Sequence, residues 1–89
     1  MQLTNYTIYS TPTCHYCHIL KDWLTQNGIA YTYKDVAVDM IARQEMVEKS
    51  QQLGVPVSVL EFADGEQIIE KVVIGYDQPQ ISTLLNISA

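Results

Sequence analysis

The chain has 89 residues, enough for one core and too few for a second domain. Hydrophobic residues make up 47% of it, which speaks against disorder. Five Lys and Arg against ten Asp and Glu leave a formal charge of −5, which speaks against nucleic acid and anionic membrane surfaces as partners. In chain order, Tyr6-Thr7-Ile8-Tyr9 is rich in β-formers and predicts a short strand that stops at Ser10-Thr11-Pro12. Thr13 is placed to cap a helix over residues 14–27, with Gly28 as its stop. Cys17, Leu20, Trp23 and Leu24 supply its apolar stripe. Residues 29–36, with alternating Tyr31 and Tyr33, predict a second strand. Asp39 caps an expected helix over residues 40–52, whose apolar side includes Met40, Ile41 and Val47. Glu45 and Lys49, four apart, suit an exposed ion pair on that helix.

Gly54 ends the second helix, and Val55-Pro56 leads into a third strand over residues 57–62. Asp64-Gly65 signals a hairpin turn, and residues 68–74 return as a fourth strand. After Gly75, Asp77 and Pro79 open a last helix ending near Leu85. There is no internal repeat, low-complexity segment or linker, so residues 1–89 read as one domain. The first strand–helix–strand unit predicts parallel strands joined by a right-handed crossover. The last two strands are too close in sequence for anything but antiparallel pairing. The expected fold is α/β, βαβαββα, with a mixed four-stranded sheet and three helices on its two faces.

Cys14-His15-Tyr16-Cys17 is the segment that carries chemistry. Two thiols three apart at the first turn of a helix are within reach of each other. The free amides and positive dipole end of a helix stabilise a thiolate. At such sites the thiol pKa falls to roughly 3.5–7.5 from about 8.5, and the thiolate is the attacking species in disulfide exchange. Cys14, at the helix start, is the expected nucleophile. Cys17, one turn in and on the core-facing stripe, is the expected resolving thiol. Two ordinary helix thiols need no such spacing.

The same residues extend to Cys14-x-x-Cys17-His18, a pattern that also serves covalent haem attachment, with His18 as axial ligand. Strands on both sides of the motif suit a sheet protein better, and His18 then reads as a solvated residue. A structural zinc site wants four ligands, and every Cys and His of the chain lies within residues 14–18, too close to close a tetrahedron. No metal ligand is therefore assigned. Two cysteines are too few for a disulfide scaffold, the first residues lack a basic and long apolar pattern, and no apolar run reaches about 18 residues. The expected setting is cytoplasmic, where thiols stay reduced.

Thr11-Pro12-Thr13-Cys14-His15-Tyr16-Cys17 after a short strand resembles the dithiol motif of the glutaredoxins. Gly54-Val55-Pro56 is similar to their Val-Pro before the third strand, and Gly75-Tyr76-Asp77 to the segment that opens their last helix. The resemblance spans about residues 3–86. It implies a thioredoxin-like fold and a monomeric enzyme that reduces protein disulfides or glutathione mixed disulfides. Glutathione would be a cosubstrate, with no covalently bound cofactor. It implies a cis Pro56, whose bend would set the Val55 backbone beside Cys14 to pair with an extended peptide or glutathione. Tyr16 would stack over the site, and Tyr76 and Asp77 would contact glutathione, with capping of the last helix as the other role for Asp77.

Some residues depart from the family's pattern. His15 stands where glutaredoxins commonly have proline, and Thr11 where many have a lysine. Lys21 is the nearest replacement cation and otherwise a solvated surface residue. Residues 57–74 make a longer hairpin than usual. Gly75-Tyr76-Asp77-Gln78-Pro79 is also similar to the glutaredoxin-like redoxins that take electrons from thioredoxin reductase and serve ribonucleotide reductase. A carrier that shares an iron–sulfur cluster between two chains through Cys14 is the alternative of another class, beside the haem carrier.

Overall fold

A computed structural model describes residues 2–86. Seven elements follow one another: β1 (Gln2–Ser10), α1 (His15–Gln26), β2 (Thr32–Asp35), α2 (Met40–Ser50), β3 (Val57–Asp64), β4 (Gln67–Ile74) and α3 (Gln78–Leu85). The four strands form one sheet in the order β2-β1-β3-β4. β1 and β2 run parallel, with Thr7 opposite Thr32, while β3 is antiparallel to both β1 and β4. This is the expected βαβαββα arrangement on a mixed sheet.

Side chains alternate along a strand, so each central strand feeds both faces of the sheet. Tyr6, Ile8, Leu60, Phe62 and Val73 project to one face and pack with Leu20 and Leu24 of α1 and Ile81 of α3. Tyr9, Val57 and Val59 project to the other and pack with Val36 and with Ala42 and Met46 of α2. Helices therefore cover both faces, and the second half of β1 is buried on both sides.

Several boundaries differ from the sequence expectations, each for a local reason. β1 is longer, starting at Gln2, with a register shift between Leu3 and Asn5. β2 is shorter than 29–36. Its first residues are held by a tight turn after α1, where Gly28 takes φ 70° and the Ile29 amide donates to Leu24 O at 2.9 Å. Ile29 and Tyr31 then pack against the core from outside the sheet. In the hairpin Asp64 pairs with Gln67, so the central turn residues are Gly65 and Glu66. Gly65 meets the turn's demand for a positive φ, at 65°.

α2 departs furthest. Met40 and Ile41, expected inside, are 63% and 75% exposed, and Val47 is half-buried. The buried side is Ala42, Met46 and Ser50, spaced by four. The Ser50 hydroxyl donates to Met46 O at 2.6 Å, which lets a polar residue face the sheet. Glu45 and Lys49 do not pair with each other. Glu45 accepts from Lys34 of β2 at 3.1 Å, and Lys49 donates to Glu70 of β4. α2 thus lies across the sheet, tied at both flanks. It ends at Gln51, in the left-handed region at φ 60°, before Gly54 is reached.

Candidate active site

The site is built at the end of the sheet where β1 stops. Ser10 O accepts from the Val36 amide at 2.9 Å, which joins the exits of β1 and β2. The chain then turns through residues 11–13, and the Cys14 amide donates to Thr11 O at 3.2 Å. Cys14 takes an extended conformation, φ −83° and ψ 111°, and is itself the N-cap of α1. This corrects the expectation for Thr13. The capping acceptor is sulfur: Cys14 Sγ accepts from the Cys17 amide at 3.2 Å. The motif thus directs a helix-start N–H at the first sulfur of the pair.

Cys14 is half-buried, and Cys17 is fully buried on the stripe it shares with Leu20 and Leu24. The two are joined as a disulfide with a Cα–Cα separation of 5.2 Å, so the structure is the oxidised form. Tyr16 is 61% exposed, its ring edge-on to His15 with centroids 5.7 Å apart. His18 is exposed, as expected, but it is not merely solvated. Its Nε2 lies 2.9 Å from Pro12 O, and because a carbonyl only accepts, that nitrogen carries the proton. Lys21 Nζ sits 4.3 Å from the centroid of the Tyr33 ring.

The other expected residues arrive from distant sequence. Val57 is opposite both Tyr9 and Ile74 in the sheet, so the chain before β3 and after β4 flanks the end of β1. The Val55–Pro56 peptide bond is cis, as the resemblance implied. The Gly75 amide, at φ 79°, donates to Pro56 O at 2.8 Å and ties these two loops together. Tyr76 is half-buried, and its hydroxyl donates to Gln78 Oε1 at 3.0 Å. Asp77 caps α3, with Oδ1 accepting from the Gln80 amide at 3.2 Å. Cys14, Tyr16 and Cys17 therefore share one helix start, and Val55, Pro56, Tyr76 and Asp77 occupy the adjoining loops at the same end of the sheet. An open groove of about 420 Å³ beside the first half of β1, lined by Leu3, Ile29 and Tyr31 among others, lies toward the opposite end.

The contact that sequence reasoning missed is the one from His18 to Pro12 O. Its acceptor is a backbone carbonyl, which leaves no mark in residue type. A capping sulfur in a half-buried Cys14–Cys17 pair, at the carboxyl end of the first strand of a mixed sheet, defines the class: thiol oxidoreductases with a thioredoxin-like fold. The glutaredoxin family model matches residues 6–66. The chain belongs to the glutaredoxin family. It is 37% identical over 78 residues to an uncharacterized glutaredoxin-like 8.6 kDa protein in the rubredoxin operon of Clostridium pasteurianum, covering 88% of this chain and 93% of that one. It is 32% identical over 54 residues to glutaredoxin 3 of Escherichia coli K12, covering 61% and 65%. Among solved structures, a mutant of the thioredoxin-like protein BC3987 superposes with a TM-score of 0.77 at 32% identity, covering 96% of this chain and 99% of that one. No described helix is long and apolar enough to cross a membrane.

Proposed function

We propose that this protein reduces disulfides by two successive exchanges, with Cys14 as nucleophile and Cys17 as resolving thiol. The observation that carries this reading is the Cys17 amide aimed at Cys14 Sγ, 3.2 Å away, with the Cys17 sulfur behind it in the core. The Cys14 thiolate attacks one sulfur of the substrate disulfide. A Cys14–substrate mixed disulfide forms, and the other substrate sulfur leaves as a thiolate and takes up a proton. Cys17 then gives up its proton and attacks the Cys14 sulfur, which releases the second substrate thiol and leaves the Cys14–Cys17 disulfide. Two electrons from glutathione or from thioredoxin reductase restore the dithiol. An extended substrate pairs with the Val55 backbone at the Pro56 bend, as one more strand would. Tyr16 covers the reacting sulfurs, and Tyr76 and Asp77 border the glutathione side. The protein acts as a cytoplasmic monomer.

One observation favours the reductase-fed redoxins, donors to ribonucleotide reductase, within this class. The cation nearest the dithiol on α1, Lys21, is held over Tyr33, and Thr11 supplies no charge in its place. A glutathione carboxylate therefore finds no cation free at this helix. The test is turnover of a small mixed disulfide, coupled in one arm to glutathione and in the other to thioredoxin reductase. Faster regeneration by the reductase is expected. Cys14→Ser abolishes turnover in both arms, and Cys17→Ser accumulates a mixed disulfide with protein substrates. Full turnover by Cys14→Ser would sink the assignment.

A further inference from the structure

We propose that His18 is a positioning residue for Cys14, acting through a clasp on the loop that precedes it. The inference rests on Cys14 being the nucleophile, as proposed above. The loop is stitched to α1 by three bonds that meet around Cys14. The Cys14 amide donates to Thr11 O at 3.2 Å, and the His18 amide donates to Cys14 O at 3.4 Å. The third is the His18 imidazole, whose Nε2–H reaches back over one helical turn to Pro12 O at 2.9 Å. Of the three it is the shortest, and it is the one a substitution can remove without touching the backbone. Its acceptor lies two residues before Cys14, on a proline that has no N–H of its own to anchor it.

The consequence falls on the sulfur. Cys14 Sγ accepts the Cys17 N–H only while Cys14 keeps its extended capping conformation, φ −83° and ψ 111°. That conformation is set by the turn through residues 11–13. With the imidazole on Pro12 O, the turn is pinned to the helix whose amides must face the sulfur. Without it, the turn keeps only its bonds at Thr11 O, from the Cys14 amide and from the Ser10 hydroxyl at 3.4 Å, and the cap samples geometries in which the Cys17 N–H no longer points at Sγ. Each such excursion removes a hydrogen bond that favours the thiolate over the thiol. His18 thereby acts without touching the substrate.

The experiment is iodoacetamide alkylation of the reduced protein as a function of pH, with mass spectrometry locating the label. At a pH below the thiol midpoint, His18→Ala is expected to alkylate Cys14 about two- to tenfold more slowly than the parent, the range of one lost hydrogen bond. Its thiol midpoint should move up accordingly. His18→Gln, whose amide offers an N–H of similar reach, is expected to recover most of the rate. An unchanged pH profile for His18→Ala overturns the proposal, whatever happens to its melting temperature. So does a His18→Gln profile no better than that of His18→Ala. A label that lands first on Cys17 overturns the nucleophile assignment instead, so the two failures are distinguishable.

Discussion

Tyr6 shows how a single buried group sets a pH limit. Its side chain is almost fully enclosed, and its hydroxyl donates to Ser58 Oγ at 2.7 Å. Burial pushes the phenol from 10.0 up to about 12, against a smaller downward pull from Ser58. The folded state therefore keeps a proton that the unfolded chain releases above its ordinary value. Stability from this group is complete below about pH 10 and is lost as pH rises toward about 12, by about 3 kcal/mol in all. Urea unfolding across that range should show the decline, and Tyr6→Phe should lessen it, leaving the part due to the Tyr9 phenol, raised by burial, and to Lys49, raised by its bond to Glu70. A parent curve that stays level would contradict the assignment. At this scale the dithiol was fully legible, since its spacing and helix start are a matter of three residues. His18 was legible as a residue and not as a contact.

Each of the three helices begins with a side chain that accepts from the third amide onward. Cys14 takes the Cys17 N–H, Asp39 the Ala42 N–H at 3.0 Å, and Asp77 the Gln80 N–H. The two aspartates were readable because carboxylates before a helical run are strong caps. Thr13 was the wrong choice for α1 because threonine and its neighbour both precede the run, and only the turn through residues 11–13 decides which one caps. Asp39→Ala should lower stability by about 1 kcal/mol in urea denaturation while leaving the Cys14 alkylation profile unchanged. A loss within error of zero would mean the cap contributes nothing. Asp77, expected as either a ligand or a cap, is at least a cap. Of the face of α2, only the half-buried Val47 was legible. Its apolar residues follow no single stripe, and the side turned inward is chosen by fit against Tyr9 of β1, Val57 and Val59 of β3 and Val36, and by the ties to Lys34 and Glu70.

At the scale of the molecule, the sheet separates two cores of unequal make-up. Leu20 sits in the one under α1 and α3, and Met46 in the one under α2, both essentially without solvent contact. Truncating either to Ala is expected to lower stability by about 2–5 kcal/mol, the cavity range for large apolar groups. The two should differ in reach. Leu20 lies one turn beyond Cys17 on the same stripe, so Leu20→Ala should also speed hydrogen exchange at the start of α1. Met46→Ala should leave that start protected. Equal protection in both variants would show that the dithiol helix is held independently of its core.

The order of elements, the hairpin, two of three caps and the dithiol at a helix start were determined by the sequence itself. Each depends on residues within a few positions of one another, where residue type and spacing carry the physics. The approach of the Val55–Pro56 and Gly75–Asp77 loops to the end of β1 was expected only through the family resemblance, while the inward side of α2, the ion pairs to β2 and β4 and the grip of His18 on Pro12 were decided by tertiary structure alone. They join segments through backbone groups or through side chains far apart in sequence. Only the packed sheet and its helices settle which of many chemically equivalent partners meet.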